Sequence, residues 1–129
     1  MQRLILFILL FILAERSLAL GNDDLLQKVN QVYLLSEEMI THGGEGHTHE
    51  IITFGEKMIH EMDGLSDLLH STKIPNRKKV RALMKEARRR AEEAVLLAKN
   101  GMLQMALKSA KSASFHAKKL REELRAVKK

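Results

Sequence analysis

From Leu25 onward the apolar positions of this chain recur every three to four residues, in four separate runs. That period places them on one face of a helix. In the first run, from about Asp23 to Thr41, the face carries Leu25, Val29, Val32, Ser36, Met39 and Ile40, with Tyr33 beside it. In the second, from about His49 to His70, it carries Ile51, Ile52, Gly55, Met58, Ile59, Met62, Leu65 and Leu69. The third, from about Arg77 to Ala98, shows Val80, Leu83, Met84, Ala87, Ala91, Ala94, Val95 and Ala98. The fourth, from about Met102 to Val127, shows Leu103, Ala106, Leu107, Ala110, Ala113, Ala117, Leu120 and Leu124. No segment alternates apolar and polar residues as a half-buried strand would. Asn22 or Asp23 is placed to cap the first helix and Thr48 the second. "STKIPN", with the only proline at Pro75, breaks the chain between the second and third. "KNG" ends the third, with Gly101 suited to a left-handed terminator.

Two halves are related by a shift of 55 positions. Glu37 and Glu38 fall on Glu92 and Glu93, Gly46 on Gly101, Ile52 on Leu107, Leu65 on Leu120 and Leu69 on Leu124. Each half is a helical hairpin that cannot bury its apolar stripe alone. Two stacked hairpins, repeat one over 22–72 and repeat two over 76–129, predict an all-α, up-down antiparallel four-helix bundle over 22–129. Helices of about 20 residues are roughly 30 Å long, and the alanines of the last two allow close approach.

Charge adds a second asymmetry. Residues 22–72 hold two basic and ten acidic residues, whereas from Lys73 onward there are eighteen basic and five acidic. The halves are expected to attract each other, and the basic one leaves a charged face that suits an anionic surface. Aromatic residues make up only 4% of the chain, so the stacking platforms of a nucleic-acid binder are missing and no nucleic-acid partner is expected.

Ahead of the bundle, residues 1–21 read as a secretory signal peptide. Arg3 precedes an apolar run from Leu4 to Leu13, too short to span a bilayer comfortably, and Ser17 and Ala19 are spaced like a cleavage site. An uncleaved anchor is the alternative. A periplasmic or secreted location follows as the expectation. The chain has no cysteine, which removes disulfides and thiolate ligands. No Ser-His-Asp set or phosphate loop is visible either, so a non-catalytic role is expected.

Four of the six histidines lie between Thr41 and His60. His42, Glu45, His47, His49 and Glu50 sit in a glycine-rich turn that can fold around an ion, and the backbone amides flanking "HTH" could join in square-planar copper binding. Further along, Glu56, His60 and Asp63 recur at i, i+4 and i+7 on the polar side of the second helix, a spacing that brings imidazole and carboxylate together. A solvated polar face is the plainer reading of that stripe. Nitrogen and oxygen donors of this kind suit Cu(II) first, then Ni(II) or Zn(II).

"GGEGHTHEIITFGEKMIHEM" and "AKNGMLQMALKSAKSASFHAKKL" together resemble the small metal-binding protein family, exported four-helix bundles whose repeats bear histidine and bind copper and other divalent metals. The resemblance rests on Gly43, Gly46, His47, Ile51, Ile52, Met58 and Ile59 in one half. In the other it rests on Lys99, Gly101, Ala106, Leu107, Ala110, His116 and Ala117. It implies His47 and His116 as family histidine positions. Phe54 and Ser109 stand where the pattern has mid-helix histidines, and Met102 where it has the second turn histidine. The resemblance therefore implies a diverged member that buffers or scavenges copper or another divalent ion. A structural bundle that binds a partner or an anionic surface through its charged faces is the alternative.

Overall fold

The computed structural model describes residues 2–127, with side chains described from Asp23 to Val127. Four helices and no strand occur among them: α1 (Gln2–Gly44), α2 (Thr48–Ser71), α3 (Arg77–Lys99) and α4 (Leu103–Ala126). Each packs antiparallel on its neighbours in order, and α4 closes back on α1, so α2 and α4 face each other only across the diagonal. This is the predicted all-α four-helix bundle. The predicted signal peptide, 1–21, lies outside the residues whose side chains are described. Among the described residues no helix is long and apolar enough to cross a membrane.

The predicted helix spans agree with the observed ones at nearly every end. The exception is the start of α1, which runs from Gln2 rather than from a cap at Asn22 or Asp23. An isolated glycine such as Gly21 weakens a helix without ending it. The expected Thr48 cap is also absent: His47 takes the cap position and no side chain bonds to the free amides there.

Two turns close the hairpins, and they are alike in backbone. In the first, the amide of His47 donates to the carbonyl of His42 at 2.9 Å and that of Gly46 to Gly43 at 3.1 Å. In the second, Met102 donates to Leu97 at 2.9 Å and Gly101 to Ala98 at 3.0 Å. This paired pattern needs a residue at positive φ, supplied by Gly46 (88°) and Gly101 (72°).

Two apolar clusters fill the bundle. Near these turns, Met39, Met58 and Met62 of α1 and α2 pack against the alanines of α3 and α4, among them Ala91, Ala98, Ala106 and Ala113. At the far end Leu25, Val29, Leu65, Leu69, Val80, Leu120 and Leu124 form a branched aliphatic core. Small residues on α3 and α4 draw the helices together, and the flexible thioethers fill the space that alanine leaves. Among the described side chains every core residue lies between Leu25 and Leu124, so residues 22–129 carry that core.

Gly55 marks the tightest approach. A Cβ added there would overlap Val95 Cγ2 on α3 and come within 3.2 Å of Met39 Sδ. Gly55→Ala is therefore expected to destabilise the bundle by about 1 kcal/mol. The overlap costs about 1–3 kcal/mol against about 1 kcal/mol of helix propensity gained. In a Val95→Ala background the same change should instead stabilise, because the opposing methyl is gone. Chemical denaturation of the four variants checks this, and additive effects would contradict the overlap.

Ion pairs link neighbouring helices, and two of them join the acidic half to the basic one. Lys28 of α1 meets Glu61 of α2 at 2.7 Å, Lys99 of α3 meets Glu56 of α2 at 2.7 Å, Arg88 of α3 pairs with Asp63 of α2, and Lys79 of α3 pairs with Glu123 of α4. Between α1 and α4, the Ser114 hydroxyl donates to Glu37 at 2.6 Å and the Arg121 guanidinium lies 3.8 Å above the Tyr33 ring.

Candidate metal centre

The last turn of α1 and the first turn of α2 bring imidazole and carboxylate groups to one point. His42 reaches it from α1, His47 from the connecting turn, and Glu50 from α2. One ligand atom from each of these three lies within 4.8 Å of the others. His42 Nδ1 touches Glu50 Oε2 directly. Glu45 joins from the turn, its carboxylate 3.4 Å from His42 Nδ1 and 3.4 Å from His47 Nδ1. His47 Nδ1 is 3.5 Å from Glu50. Ligand atoms about 2.1 Å from a tetrahedral ion stand roughly 3.4 Å apart, so the separations of His47 from Glu45 and Glu50 and of Glu45 from His42 have the scale of a coordination sphere, while His42 and Glu50 stand closer.

Three further features fit an ion. His42 Nδ1 and Glu50 Oε2 are shut off from solvent, yet neither makes a well-directed hydrogen bond. Each is the other's nearest polar partner, and a cation would engage both. On the other side of the His42 ring, Nε2 lies 3.4 Å from the Glu38 carboxylate one turn earlier in α1. That is the arrangement in which a carboxylate orients a ligating imidazole. Finally, the ring of His42 stacks against two others. Phe54 stacks on it at 5.3 Å between centroids and 11°, and His47 at 5.8 Å and 26°.

The local sequence produces this geometry directly. Gly46 at positive φ reverses the chain, so that His47 folds back beside His42, whose carbonyl its amide holds. Glu50 follows His47 by three residues and Phe54 follows Glu50 by four, which puts all three on one side of α2. The amides of Gly46, His47, Thr48 and Glu50 donate to backbone carbonyls. The expected help from backbone amides around "HTH" would require breaking those bonds, so the side chains are the donors at hand.

The structure divides the residues singled out from the sequence. It gathers His42, Glu45, His47 and Glu50. It leaves His49 exposed and outside the group, its carbonyl accepting from the Thr53 hydroxyl. Glu56 and Asp63 face α3, where Lys99 and Arg88 take their carboxylates. The Asp63 hydrogen bond raises the Arg88 guanidinium above its ordinary value, with Glu92 adding to the effect. His60 is exposed between these two pairs. His116, on α4, has its Nδ1 2.8 Å from the Ser112 carbonyl and its ring edge-on to Phe115. It lies across the bundle diagonal from the helix of His60 and joins no ligand group among the described residues. Glu38 and Phe54 were not among the predicted ligands. Glu38–His42 and Glu50–Phe54 are each i,i+4 pairs, and that spacing was the signal that could have marked them.

No family model and no curated protein matches the chain.

Proposed function

We propose that this chain is an exported metal-binding bundle that buffers or scavenges a divalent transition ion, Cu(II) foremost and Ni(II) or Zn(II) after it, at the turn between α1 and α2. The observation that carries the reading is the convergence of His42, His47 and Glu50 ligand atoms within 4.8 Å, with Glu45 alongside. Two imidazoles and carboxylate oxygen favour copper on the ordering of divalent ions. The resemblance of the two hairpins to the small metal-binding protein family points the same way.

Comparison of the two turns supports a chemical rather than a structural reason for these side chains. The second turn reaches the same hydrogen-bonded backbone with Leu97, Asn100, Met102 and Met105 where the first has His42, Glu45, His47 and Glu50. Neither imidazole nor carboxylate is needed to make the turn.

Calorimetric titration of residues 22–129 with Cu(II), Ni(II) and Zn(II) tests the proposal. Saturable binding of one Cu(II) at micromolar concentration is expected, weakening on acidification because protons compete for the imidazole nitrogens. Absence of heat and of any copper absorbance change at those concentrations would contradict it.

A further inference from the structure

We infer that the outward face of α4 is a docking surface for an anionic lipid bilayer. Phe115 stands on the side of α4 opposite Ala113 and Ala117, with 57% of its surface exposed. Four lysines surround it: Lys108, Lys111, Lys118 and Lys119, all exposed. They sit at −7, −4, +3 and +4 from the ring, so one helix face presents an aromatic side chain inside a ring of ammonium groups. Lys119 holds its Nζ 5.8 Å over the Phe115 ring.

Much of the charge on this face is unpaired, in contrast to the arginine run of α3. On α3, Arg88, Arg89 and Arg90 all meet carboxylates, and the hydrogen bond from Arg89 holds Glu86 below the usual carboxylate range. On α4, Lys119 reaches Glu122 at 3.6 Å. Lys108, Lys111 and Lys118 form no ion pair among the described residues. A helix face that exposes both uncompensated cations and an aromatic ring asks for a partner that is anionic at its surface and apolar just beneath.

A lipid headgroup layer has that profile. Lysine stems are long enough to hold their ammonium groups among the phosphates while the ring sinks between the headgroups. The face is convex and lacks arginine forks, which suits diffuse surface charge better than bidentate recognition of individual phosphates. An acidic polymer would satisfy the lysines but leave Phe115 in water. None of these residues belongs to the His42 group, so the inference stands apart from metal binding.

The chain has no tryptophan, so Phe115→Trp gives residues 22–129 a single reporter at the centre of the face. With vesicles of mixed phosphatidylglycerol and phosphatidylcholine, its emission is expected to shift to the blue and the protein to sediment with the lipid. Phosphatidylcholine alone should do neither. Salt at about 1 M, where the Debye length shrinks to about 3 Å, should release it. Changing the four lysines to glutamine should weaken vesicle binding at least about tenfold. Phe115→Ser should weaken it severalfold with helicity unchanged. An unshifted emission, equal binding to neutral vesicles, or full binding by the four-glutamine variant would overturn the inference. So would capture on heparin that is indifferent to Phe115→Ser without any vesicle binding, which would assign the face to an acidic polymer.

Discussion

Leu65→Ala is expected to cost the bundle about 2–5 kcal/mol, the range for removing a buried leucine side chain down to its Cβ. Leu65 is fully buried in the far-end cluster, beside Leu25, Val29, Leu69, Val80, Leu120 and Leu124. Two of those neighbours, Val29 and Val80, are β-branched and stiff at χ1, and none of the six has the reach of a methionine to fill a gap. The turn-end cluster differs, because Met39, Met58 and Met62 can swing into space that opens beside them. A cavity at Leu65 should therefore remain a cavity. For a domain of this size the loss corresponds to a fall in melting temperature of roughly 10–20 °C. Thermal unfolding followed by circular dichroism gives the value, and a shift within a degree or two would mean that this end of the bundle is not closely packed.

The second large effect is on binding. Rewriting the first turn in the language of the second, with His42→Leu and His47→Met, should lower Cu(II) affinity by at least about 100-fold, since it removes both imidazoles. Its effect on stability should be small, within about 1 kcal/mol, because Leu97 and Met102 already occupy the matching positions of a turn with the same backbone hydrogen bonds. Glu38→Gln should weaken copper about tenfold without abolishing it, as expected for a carboxylate that orients a ligand rather than serving as one. His60→Ala should leave binding unchanged. Calorimetry on these variants separates the roles. A His42→Leu/His47→Met variant that binds copper as well as the parent would remove the turn from consideration.

Most of the fold was written in the apolar period. The stripes read from the sequence are the buried faces, with Ile40, Ile52, Ile59, Leu83, Met84, Leu103 and Leu107 only partly covered because they lie at the flanks of their stripes. Leu35, Ser109 and Ser114 are buried without having been placed on a face, since each sits where a second neighbouring helix closes over the flank. The positive φ at Gly46 and Gly101 followed from the glycines themselves.

The site was less legible. His42, Glu45 and His47 are close in sequence and share a tight turn, so proximity alone brought them forward. The stripe of Glu56, His60 and Asp63 looked equally suitable on a helical wheel, but a wheel does not show the neighbouring helix. Lys99 and Arg88 lie 43 and 25 residues away in sequence, and it is the bundle that sets them against those carboxylates. Glu38 was hidden for a related reason. It is an ordinary surface glutamate until the His42 ring turns its Nε2 toward it.

Nuclear magnetic resonance of residues 22–129, labelled with ¹⁵N and titrated with Cu(II) to one equivalent, tests the location of the proposed site most directly. A bound paramagnetic ion erases amide signals close to it. The loss is expected to centre on His42, Glu45, His47 and Glu50, to reach Glu38 and Phe54, and to spare Pro75's turn and the C-terminal half of α4. Loss centred on His60 and Asp63, or spread evenly over every exposed histidine, would contradict a metal centre at the turn between α1 and α2.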